Sequence, residues 1–265
     1  MSVFGWREAP RADFAVLGHP IKHSLSPKMH HAAYDALGLR ENYVAIEVIA
    51  EEFEQAIDHL IQLGYRGVNV TIPHKTAAFE WADSTCETSQ KLQVCNTLRF
   101  SDQSGVNTDV PGFLKSLPGH SQRALVLGAG GSARAIVYAL SRQGTEVSVW
   151  NRTGSRAAEL VDQVGLGSRI VSDPAVGGFG LIVNTTSTGL TGDSLPIDWT
   201  GAEPGSQLAY DLAYSSGPTS FLSEAASHGL TGMDGRMMLM EQGAFAFEYW
   251  FDASAPREAM WEAIR

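Results

Sequence analysis

The sequence predicts an α/β protein with two domains, and three observations support this prediction. A chain of 265 residues is long enough to form two domains of moderate size. Short apolar runs typical of strands alternate with helical patterns along most of the chain, which indicates βαβ units and parallel sheets. The alternation begins a second time at ALVLGAGG, residues 124–131, after a linker that contains proline and glycine.

The first βαβ series contains strand-like runs at 14–18, 43–49 and 67–72 and helical patterns at 27–37, 51–63 and 76–83. Pro27 suits the start of its helix, and Pro73 should end its strand because proline donates no ladder hydrogen bond. NTLRF and GVNTD flank the turn SDQSG and predict a β-hairpin. A connecting helix is expected in DVPGFLKSLPGHSQR.

The second series repeats this pattern and then ends in helices. Its strands are predicted within 124–131, 146–152, 181–186 and 207–214, with helices at 132–143 and 155–164. Two further apolar helical stretches, 237–251 and 256–265, close the chain without a strand between them.

Charge and cysteine content exclude several classes of function. The net charge of −10 leaves no basic excess for a nucleic-acid partner, although a small anionic ligand needs only a few local cations. Cys86 and Cys95 predict neither a disulfide framework nor a zinc cluster, which indicates a reducing compartment. The first residues carry acids and a proline before a short apolar run, so we expect neither a signal peptide nor a membrane span, and a cytoplasmic location.

A glycine-rich turn, GAGGSA, stands between an apolar strand and a helix of the second series. Gly128 would permit the tight turn, Gly130 would let the backbone approach a pyrophosphate, and Ala133 would allow close packing of helix on strand. The positive end of the helix adds an anion site. The candidates for dinucleotide binding here are Gly128, Ala129, Gly130, Gly131 and Ser132. A tight turn without a ligand is the alternative.

The end of the next strand indicates which dinucleotide is bound. NAD enzymes place an acidic residue there for the ribose 2′-hydroxyl, whereas EVSVW is followed by Asn151, Arg152 and Thr153, with Arg156 one turn later. Two guanidinium groups and a hydroxyl suit a 2′-phosphate, so the pattern favours NADP(H). The alternative is a pair of solvated arginines at the start of a helix.

NVTIPHK, residues 69–75, places Lys75 just after a strand end. A lysine alone is usually a surface residue, but Asp109 follows GVNT and Asn96 precedes another strand, so polar residues gather at strand ends. Open α/β sheets bind ligands at those edges. A Lys75–Asp109 pair in a partly desolvated cleft could give a proton to an oxygen that gains negative charge.

Ser24 and Ser26 precede the first helix of the chain. Either serine could cap that helix, and two serines at this spacing could instead hold a carboxylate at its positive end. The histidines nearby, His19, His23, His30 and His31, have no metal-binding spacing and no interleaved carboxylate, so no metal is expected.

In these motifs the sequence resembles the shikimate dehydrogenases of the shikimate/quinate dehydrogenase family. The resemblance runs in order through HSLSPKMH, GVNVTIPHK, CNTL, GVNTDVPGF, LVLGAGGSARA, NRT, NTTSTG, DLAY and MLMEQGAFAFEYW. NVTIPHK and NTDxxGF are its most specific motifs.

The resemblance implies a substrate domain of α/β type over 1–108 plus 239–265, a Rossmann-type NADP domain over 109–238, and C-terminal helices that return to the first domain. The implied reaction is NADPH-dependent reduction of 3-dehydroshikimate to shikimate by a monomer or homodimer, with Lys75 and Asp109 as the catalytic pair. The implied substrate-binding residues are Ser24, Ser26, Thr71, Asn96, Tyr214 and Gln242. Those implied for the cofactor are Gly128, Ala129, Gly130, Gly131, Ser132, Asn151, Arg152, Thr153, Arg156, Thr186 and Gly235.

Three residues depart from the family pattern and leave substrate preference open. Gln93 and Cys95 replace small residues before Asn96, and Glu241 replaces a small or apolar residue. Ser26 rather than threonine favours shikimate over quinate. The alternatives are oxidation of quinate or an aminoshikimate, with NAD or with both cofactors, and a homologue that senses its ligand without catalysis.

Overall fold

The computed structural model describes residues 2–186, 188, 194–215 and 217–265, and every structural statement below concerns these residues. The chain forms two compact units. The first consists of Met1–Gly112 and Leu239–Arg265, and the second is Phe113–Met238. No helix among the described residues is long and apolar enough to cross a membrane.

The first unit is built on a sheet of seven strands. The strands are β1 Val3–Gly5, β2 Phe14–Gly18, β3 Tyr43–Glu47, β4 Gly67–Val70, β5 Ser84–Thr85, β6 Thr97–Arg99 and β7 Ser104–Val106. Its early helices are α1 Ser26–Leu37, α2 Phe53–Leu63, α3 Lys75–Trp81 and α4 Glu87–Leu92.

Parallel and antiparallel strands share this sheet, in the order β1-β3-β2-β4-β6-β7-β5. β1, β3, β2 and β4 are parallel neighbours. β6 pairs antiparallel with both β4 and β7, which confirms the predicted hairpin. Because β2 and β4 are parallel, the loops that follow them leave the sheet at the same edge.

The last two helices complete the first unit. α9 is Arg236–Phe251 and α10 is Arg257–Ile264, and α10 packs against α1. The ring of Trp250 stacks on Phe14, with centroids 4.4 Å apart, and Phe251 lies 5.4 Å from the same ring. The return of the C-terminal helices to the first unit is therefore confirmed, and buried aromatic rings hold them there.

The second unit has a sheet of six parallel strands. They are β8 Arg123–Leu127, β9 Glu146–Trp150, β10 Arg169–Ile170, β11 Leu181–Asn184, β12 Leu208–Asp211 and β13 Thr231–Met233. Its helices are α6 Gly131–Arg142, α7 Gly154–Val164 and α8 Ser220–Ser227, and α5 Asp109–Ser116 and α9 each contain a border between the units.

The strand order of this sheet is β10-β9-β8-β11-β12-β13. This is the Rossmann order, in which the chain reverses direction across the sheet between β8 and β11. Strands β8 and β11 are almost wholly buried, which is typical of a parallel sheet covered on both faces. The reversal creates a crevice at the carboxyl ends of β8 and β11, where such sheets bind dinucleotides.

Candidate active site

Lys75 is held at the start of α3 by a tight turn after β4. The His74 amide donates to the Thr71 carbonyl at 3.0 Å. The His74 Nε2 donates to the Val48 carbonyl at 2.7 Å, and its ring stacks on Phe53. Burial lowers the pKa of His74, so its imidazole is neutral in the turn. Lys75 itself is only 9 % exposed, so it is a buried residue and not a surface lysine.

Asp109 is the first residue of α5 and is 5 % exposed. The Asn107 side chain accepts from the amide of Val110 at 3.1 Å and thereby satisfies a backbone donor in the first turn of this helix. Lys75 Nζ donates to Asp109 Oδ2 at 2.5 Å, although the two residues are 34 positions apart in sequence. The fold therefore brings the predicted pair together as a buried, charge-assisted hydrogen bond.

Asn96, which is 2 % exposed, connects this pair to the C-terminal helices. Its Nδ2 lies 2.9 Å from Thr108 Oγ1, 3.1 Å from Asp109 Oδ1 and 3.2 Å from Gln242 Oε1. Its Oδ1 accepts from the Thr108 amide at 2.7 Å. Asp109 therefore has one oxygen facing an amide and the other facing the Lys75 ammonium, which orients its carboxylate.

Gln242 reaches this cluster from α9. Its Nε2 donates to the Leu239 carbonyl at 2.9 Å, which leaves the Oε1 directed at Asn96. The structure thus joins four predicted residues, Lys75, Asp109, Asn96 and Gln242, into one hydrogen-bonded cluster within the first unit.

The predicted carboxylate-binding serines lie in the loop after β2. Ser26 is the first residue of α1 and is buried, and Ser24 Oγ accepts from the Ser26 amide at 3.3 Å. The Thr71 amide donates to the Leu17 carbonyl, and the His19 amide donates to the Ile72 carbonyl, both at 2.9 Å. These bonds tie the loop that carries the serines to the loop that carries Lys75.

The glycine turn has the conformation expected of a dinucleotide loop. Gly128 has a φ of +115°, which a residue with a side chain rarely adopts, and its amide donates to the Trp150 carbonyl at 2.8 Å. Gly130 precedes α6, and a Cβ at this position would meet nothing within 4 Å. Ala133 is fully buried against the sheet. The first amides of α6 therefore border open space, which suits a pyrophosphate.

The residues after β9 suit a phosphorylated ribose. Arg152 and Arg156 are exposed, Asn151 Nδ2 donates to the Thr153 carbonyl at 2.8 Å, and no carboxylate stands directly after the strand. A cavity of about 250 Å³ lies beside Arg156 and is lined by Ala129, Arg134, Arg156, Glu159, Leu160 and Gln163. Because the lining contains the guanidinium groups of Arg134 and Arg156 and only one carboxylate, that of Glu159, it carries an excess of positive charge. The donor set therefore fits NADP(H).

Thr186 follows β11 and is held by Asn184, whose Oδ1 accepts from both the amide and the hydroxyl of Thr186 at 3.0 and 2.7 Å. Asn184 Nδ2 in turn donates to Asp211 Oδ1 at 3.1 Å, and Thr219 donates to Asp211 Oδ2 at 2.6 Å. Burial raises the pKa of Asp211 despite these donors. Residues 187 and 189 of the NTTSTG motif lie outside the described residues.

Tyr214 and Gly235 also belong to the second unit. Tyr214 is half-buried after β12. The Gly235 amide donates to the Ala213 carbonyl at 3.3 Å, and a Cβ at Gly235 would overlap the backbone of Leu212. Gly235 therefore lets two backbone segments come into direct contact beside Tyr214.

Sequence reasoning missed several residues that support these sites. The sequence pattern places Asn184 and Asp211 within predicted strands, and the signal that identifies them is a polar residue at the last position of an apolar run. Thr108 belongs to a motif in which only Asp109 was singled out. Asn69 is buried under the site, where it donates to Thr97 at 3.0 Å.

The histidines near the first helix do not gather into a site. His30 is fully buried, and burial lowers its pKa to about 3. His31 instead lies 3.0 Å from the Asn42 side chain. Among the described residues, no group of three or more His, Cys, Asp or Glu side chains could hold a metal ion.

Comparison with known proteins identifies the family. Three family models match, described as shikimate dehydrogenase substrate binding domain over residues 16–98, shikimate / quinate 5-dehydrogenase over 114–172 and shikimate 5'-dehydrogenase C-terminal domain over 235–265. A protein named shikimate dehydrogenase (NADP(+)) from Desulfitobacterium hafniense is 36 % identical over 264 residues, which cover 95 % of this chain and 96 % of that protein. The chain belongs to the shikimate dehydrogenase family.

Solved structures of similar proteins share the fold. Shikimate 5-dehydrogenase from Thermus thermophilus, crystallised in complex with NADP(H) and shikimate, is 38 % identical, with a TM-score of 0.87 over 96 % of this chain and 98 % of that chain. A 5-ketofructose reductase from Gluconobacter is 26 % identical, with a TM-score of 0.82 over 96 % and 98 % of the two chains. The predicted family and fold class are confirmed.

The three residues that the sequence analysis predicts to depart from the family pattern have different surroundings. Gln93 is exposed and ends α4 with a φ of 54°. Cys95 is fully buried, and its amide donates to the Lys75 carbonyl at 2.9 Å. Glu241 is buried beside Gln242 and forms an ion pair with Arg257.

Proposed function

We propose that the protein catalyses the reversible NADPH-dependent reduction of 3-dehydroshikimate to shikimate. The observation that carries the proposal is the buried hydrogen bond between Lys75 and Asp109, in a chain of the shikimate dehydrogenase family. An ammonium in this position is a proton donor beside a carboxylate that keeps it oriented. Such an arrangement suits the reduction of a carbonyl group.

The reaction needs a hydride on the carbonyl carbon and a proton on the carbonyl oxygen. The reduced nicotinamide supplies the hydride when it is bound. Lys75 stabilises the negative charge that develops on the oxygen and donates its proton to it. Asp109 holds Lys75 through one oxygen, and with the other it accepts from a neighbouring hydroxyl of the substrate.

The remaining polar residues of the first unit bind the ring. Asn96 and Gln242 face each other at 3.2 Å and suit ring hydroxyls, which both donate and accept. Ser24 and Ser26 lie at the start of α1, where hydroxyls and helix amides together suit the substrate carboxylate. We assign Thr71 and Tyr214 to the same substrate, as groups that orient it.

We assign cofactor binding to the second unit. The amides of Gly128–Ser132 would hold the pyrophosphate, and Asn151–Thr153 with Arg156 would hold the 2′-phosphate of the adenosine. Thr186 and Gly235 would lie near the nicotinamide. In this proposal residues 1–108 and 239–265 form the substrate domain, and 109–238 form the NADP domain.

The same proposal covers partners and location. The substrate is a small molecule, and the acidic net charge disfavours nucleic acid. Both cysteines are free thiols, which suits the reducing cytoplasm. The active form is a monomer or a homodimer.

Initial rates test the proposal. Purified protein is mixed with NADPH or NADH and 3-dehydroshikimate, and loss of the reduced nicotinamide absorbance is followed. The reverse reaction is run with NADP⁺ and either shikimate or quinate, and a separate forward reaction uses 5-ketofructose. We expect turnover of 3-dehydroshikimate and shikimate with the phosphorylated cofactor. Faster turnover of quinate or 5-ketofructose, or a preference for NADH, would overturn the assignment.

A further inference from the structure

Glu241, one of the departures from the family pattern, is adjacent to the candidate substrate ligand Gln242 on α9. The Glu241 side chain is only 7 % exposed, and its Oε2 accepts from Arg257 Nε at 2.8 Å. Burial of a carboxylate in this family member therefore depends on a cation from the next helix.

Arg257 also binds a second carboxylate of α9, that of Glu248. Its two terminal nitrogens donate to Glu248 at 2.6 and 3.2 Å, and its guanidinium lies 5.2 Å from the centre of the Phe245 ring. Glu241 and Glu248 are seven residues apart and so lie on the same face of α9, two turns from each other. One guanidinium at the start of α10 thus joins two turns of α9.

Hydrogen bonding within this cluster shifts the pKa values of its members. Burial by itself raises the pKa of Glu248, but the hydrogen bonds from Arg257 and the Ala255 amide, together with the charge of Arg257, outweigh that effect and lower it. The hydrogen bonds that Arg257 donates, first to Glu248 and then to Glu241, raise its own pKa. Without the guanidinium, Glu241 would remain as a buried carboxylate with no cation, and α9 would have to move to expose it.

Gln242 would move together with α9, and its close packing leaves little room for that movement. A Cβ at Gly112 would lie 2.7 Å from Gln242 Cβ and 2.8 Å from Gln242 N, so the backbone of α9 is packed tightly against Gly112. On its other side, Gln242 Oε1 accepts from Asn96 Nδ2 at 3.2 Å, and Asn96 also contacts Asp109. A small shift of this turn therefore alters the substrate-binding groups directly.

We propose that Arg257 is a positioning residue for substrate binding, which acts by neutralising buried Glu241 and so fixing Gln242 on α9. This inference rests on the proposed function, because it assumes that Gln242 contacts the ring hydroxyls. Since Gln242 would contact those hydroxyls in both the ground state and the transition state, losing its position should raise KM more than it lowers kcat.

The test compares Arg257→Met with Arg265→Met. Arg265 directly follows the same helix and also forms an ion pair, with Glu262 at 2.7 Å, but both side chains are well exposed. We expect Arg257→Met to raise KM for 3-dehydroshikimate ~10-fold, with kcat changed by less than ~3-fold, and Arg265→Met to leave both constants near the parent values. The Kd for NADPH, measured by protein fluorescence, should not change in either variant.

A second substitution separates positioning from a general structural defect. In Glu241→Leu/Arg257→Met an apolar side chain takes the buried position and needs no cation, so KM should return to within ~2-fold of the parent value. The proposal would be overturned if Arg257→Met had the same KM as the Arg265→Met control. It would also be overturned if the KM of the double variant were no lower than that of Arg257→Met. Should Arg257→Met not fold, Arg257→Lys replaces it: one ammonium cannot reproduce the planar fork, and an unchanged KM would again overturn the proposal.

Failure of this inference can be told apart from failure of the proposed function. If the parent protein does not turn over 3-dehydroshikimate, the proposed function fails, whatever the variants do. If the parent turns it over and Arg257→Met binds shikimate with unchanged Kd by calorimetry, only the role of Arg257 fails.

Discussion

Gly112→Ala tests how closely α5 and α9 must approach for the active-site cluster to form. A Cβ at this position would lie 2.7, 2.8 and 2.9 Å from the Cβ, N and Cα atoms of Gln242. Ordinary van der Waals contact begins at 3.4 Å, so the two backbones must separate by roughly 0.5–0.7 Å. Two of the three atoms belong to the backbone, so no side-chain rotation can relieve the overlap.

The separation acts directly on the groups that we propose bind the substrate. Asp109 lies one turn before Gly112 on α5, and Asn96 bridges Asp109 Oδ1 and Gln242 Oε1 at 3.1 and 3.2 Å. Adding the shift to either distance stretches it beyond the ~3.5 Å at which a hydrogen bond is lost. Since a misplacement of about 1 Å can cost ~10²-fold in rate, we expect kcat/KM to fall ~10-fold, with a stability loss of about 1–3 kcal/mol.

The assay measures kcat/KM for 3-dehydroshikimate at saturating NADPH and at a temperature where thermal melts show the variant folded. Gly119→Ala is the matched control, because a Cβ at Gly119 meets nothing within 4 Å and its φ is not in the left-handed region. NADPH affinity should equal that of the parent in both variants. Equal kcat/KM in Gly112→Ala and Gly119→Ala would refute the reasoning.

Three further predictions concern other parts of the chain. Cys95 is fully buried, and burial raises the pKa of its thiol to about 11. A disulfide reagent should therefore modify Cys86 in the native protein and Cys95 only after unfolding. Equal rates of modification of the two thiols in the native protein would contradict this prediction. Hydrogen bonds from Arg99 lower the pKa of Asp102 to about 2, so this carboxylate stabilises the fold above about pH 4 and the benefit is lost as the pH falls towards 2. Urea titrations should therefore show Asp102→Asn to be less stable at neutral pH, by no more than about 1 kcal/mol because the pair is exposed, with the difference much smaller near pH 2. Arg156→Ala should raise the Kd for NADPH ~10-fold and leave that for NADH unchanged, as measured by fluorescence, and an equal effect on both cofactors would exclude a contact with the 2′-phosphate.

The elements around the glycine turn could be predicted closely from sequence. The apolar run, the glycine pattern and the helical period agree there, and β8 and α6 begin within a residue of the predicted positions. The sequence pattern does not predict the short strands β1, β5, β10 and β13. They have two or three residues each and lie at sheet edges, so their pairing depends on a neighbouring strand and not on their own pattern.

The candidate site likewise contains residues that could be predicted from the sequence and residues that could not. Residue types at strand ends predicted that Lys75 and Asp109 would meet, because parallel strands deliver their ends to one edge of a sheet. Glu241 could be recognised as unusual, but its partner could not be predicted, since Arg257 is 16 residues further on and belongs to another helix. Likewise, nothing local indicated that Asn184 and Asp211 would pair across neighbouring strands.

The turnover of Lys75→Ala tests the central claim most directly. If Lys75 delivers the proton, kcat for reduction of 3-dehydroshikimate should fall by ~10³-fold or more, while the Kd for shikimate changes far less, because the ammonium acts mainly on the oxygen as it gains charge. A variant that folds, binds shikimate and keeps near-normal turnover would contradict the account.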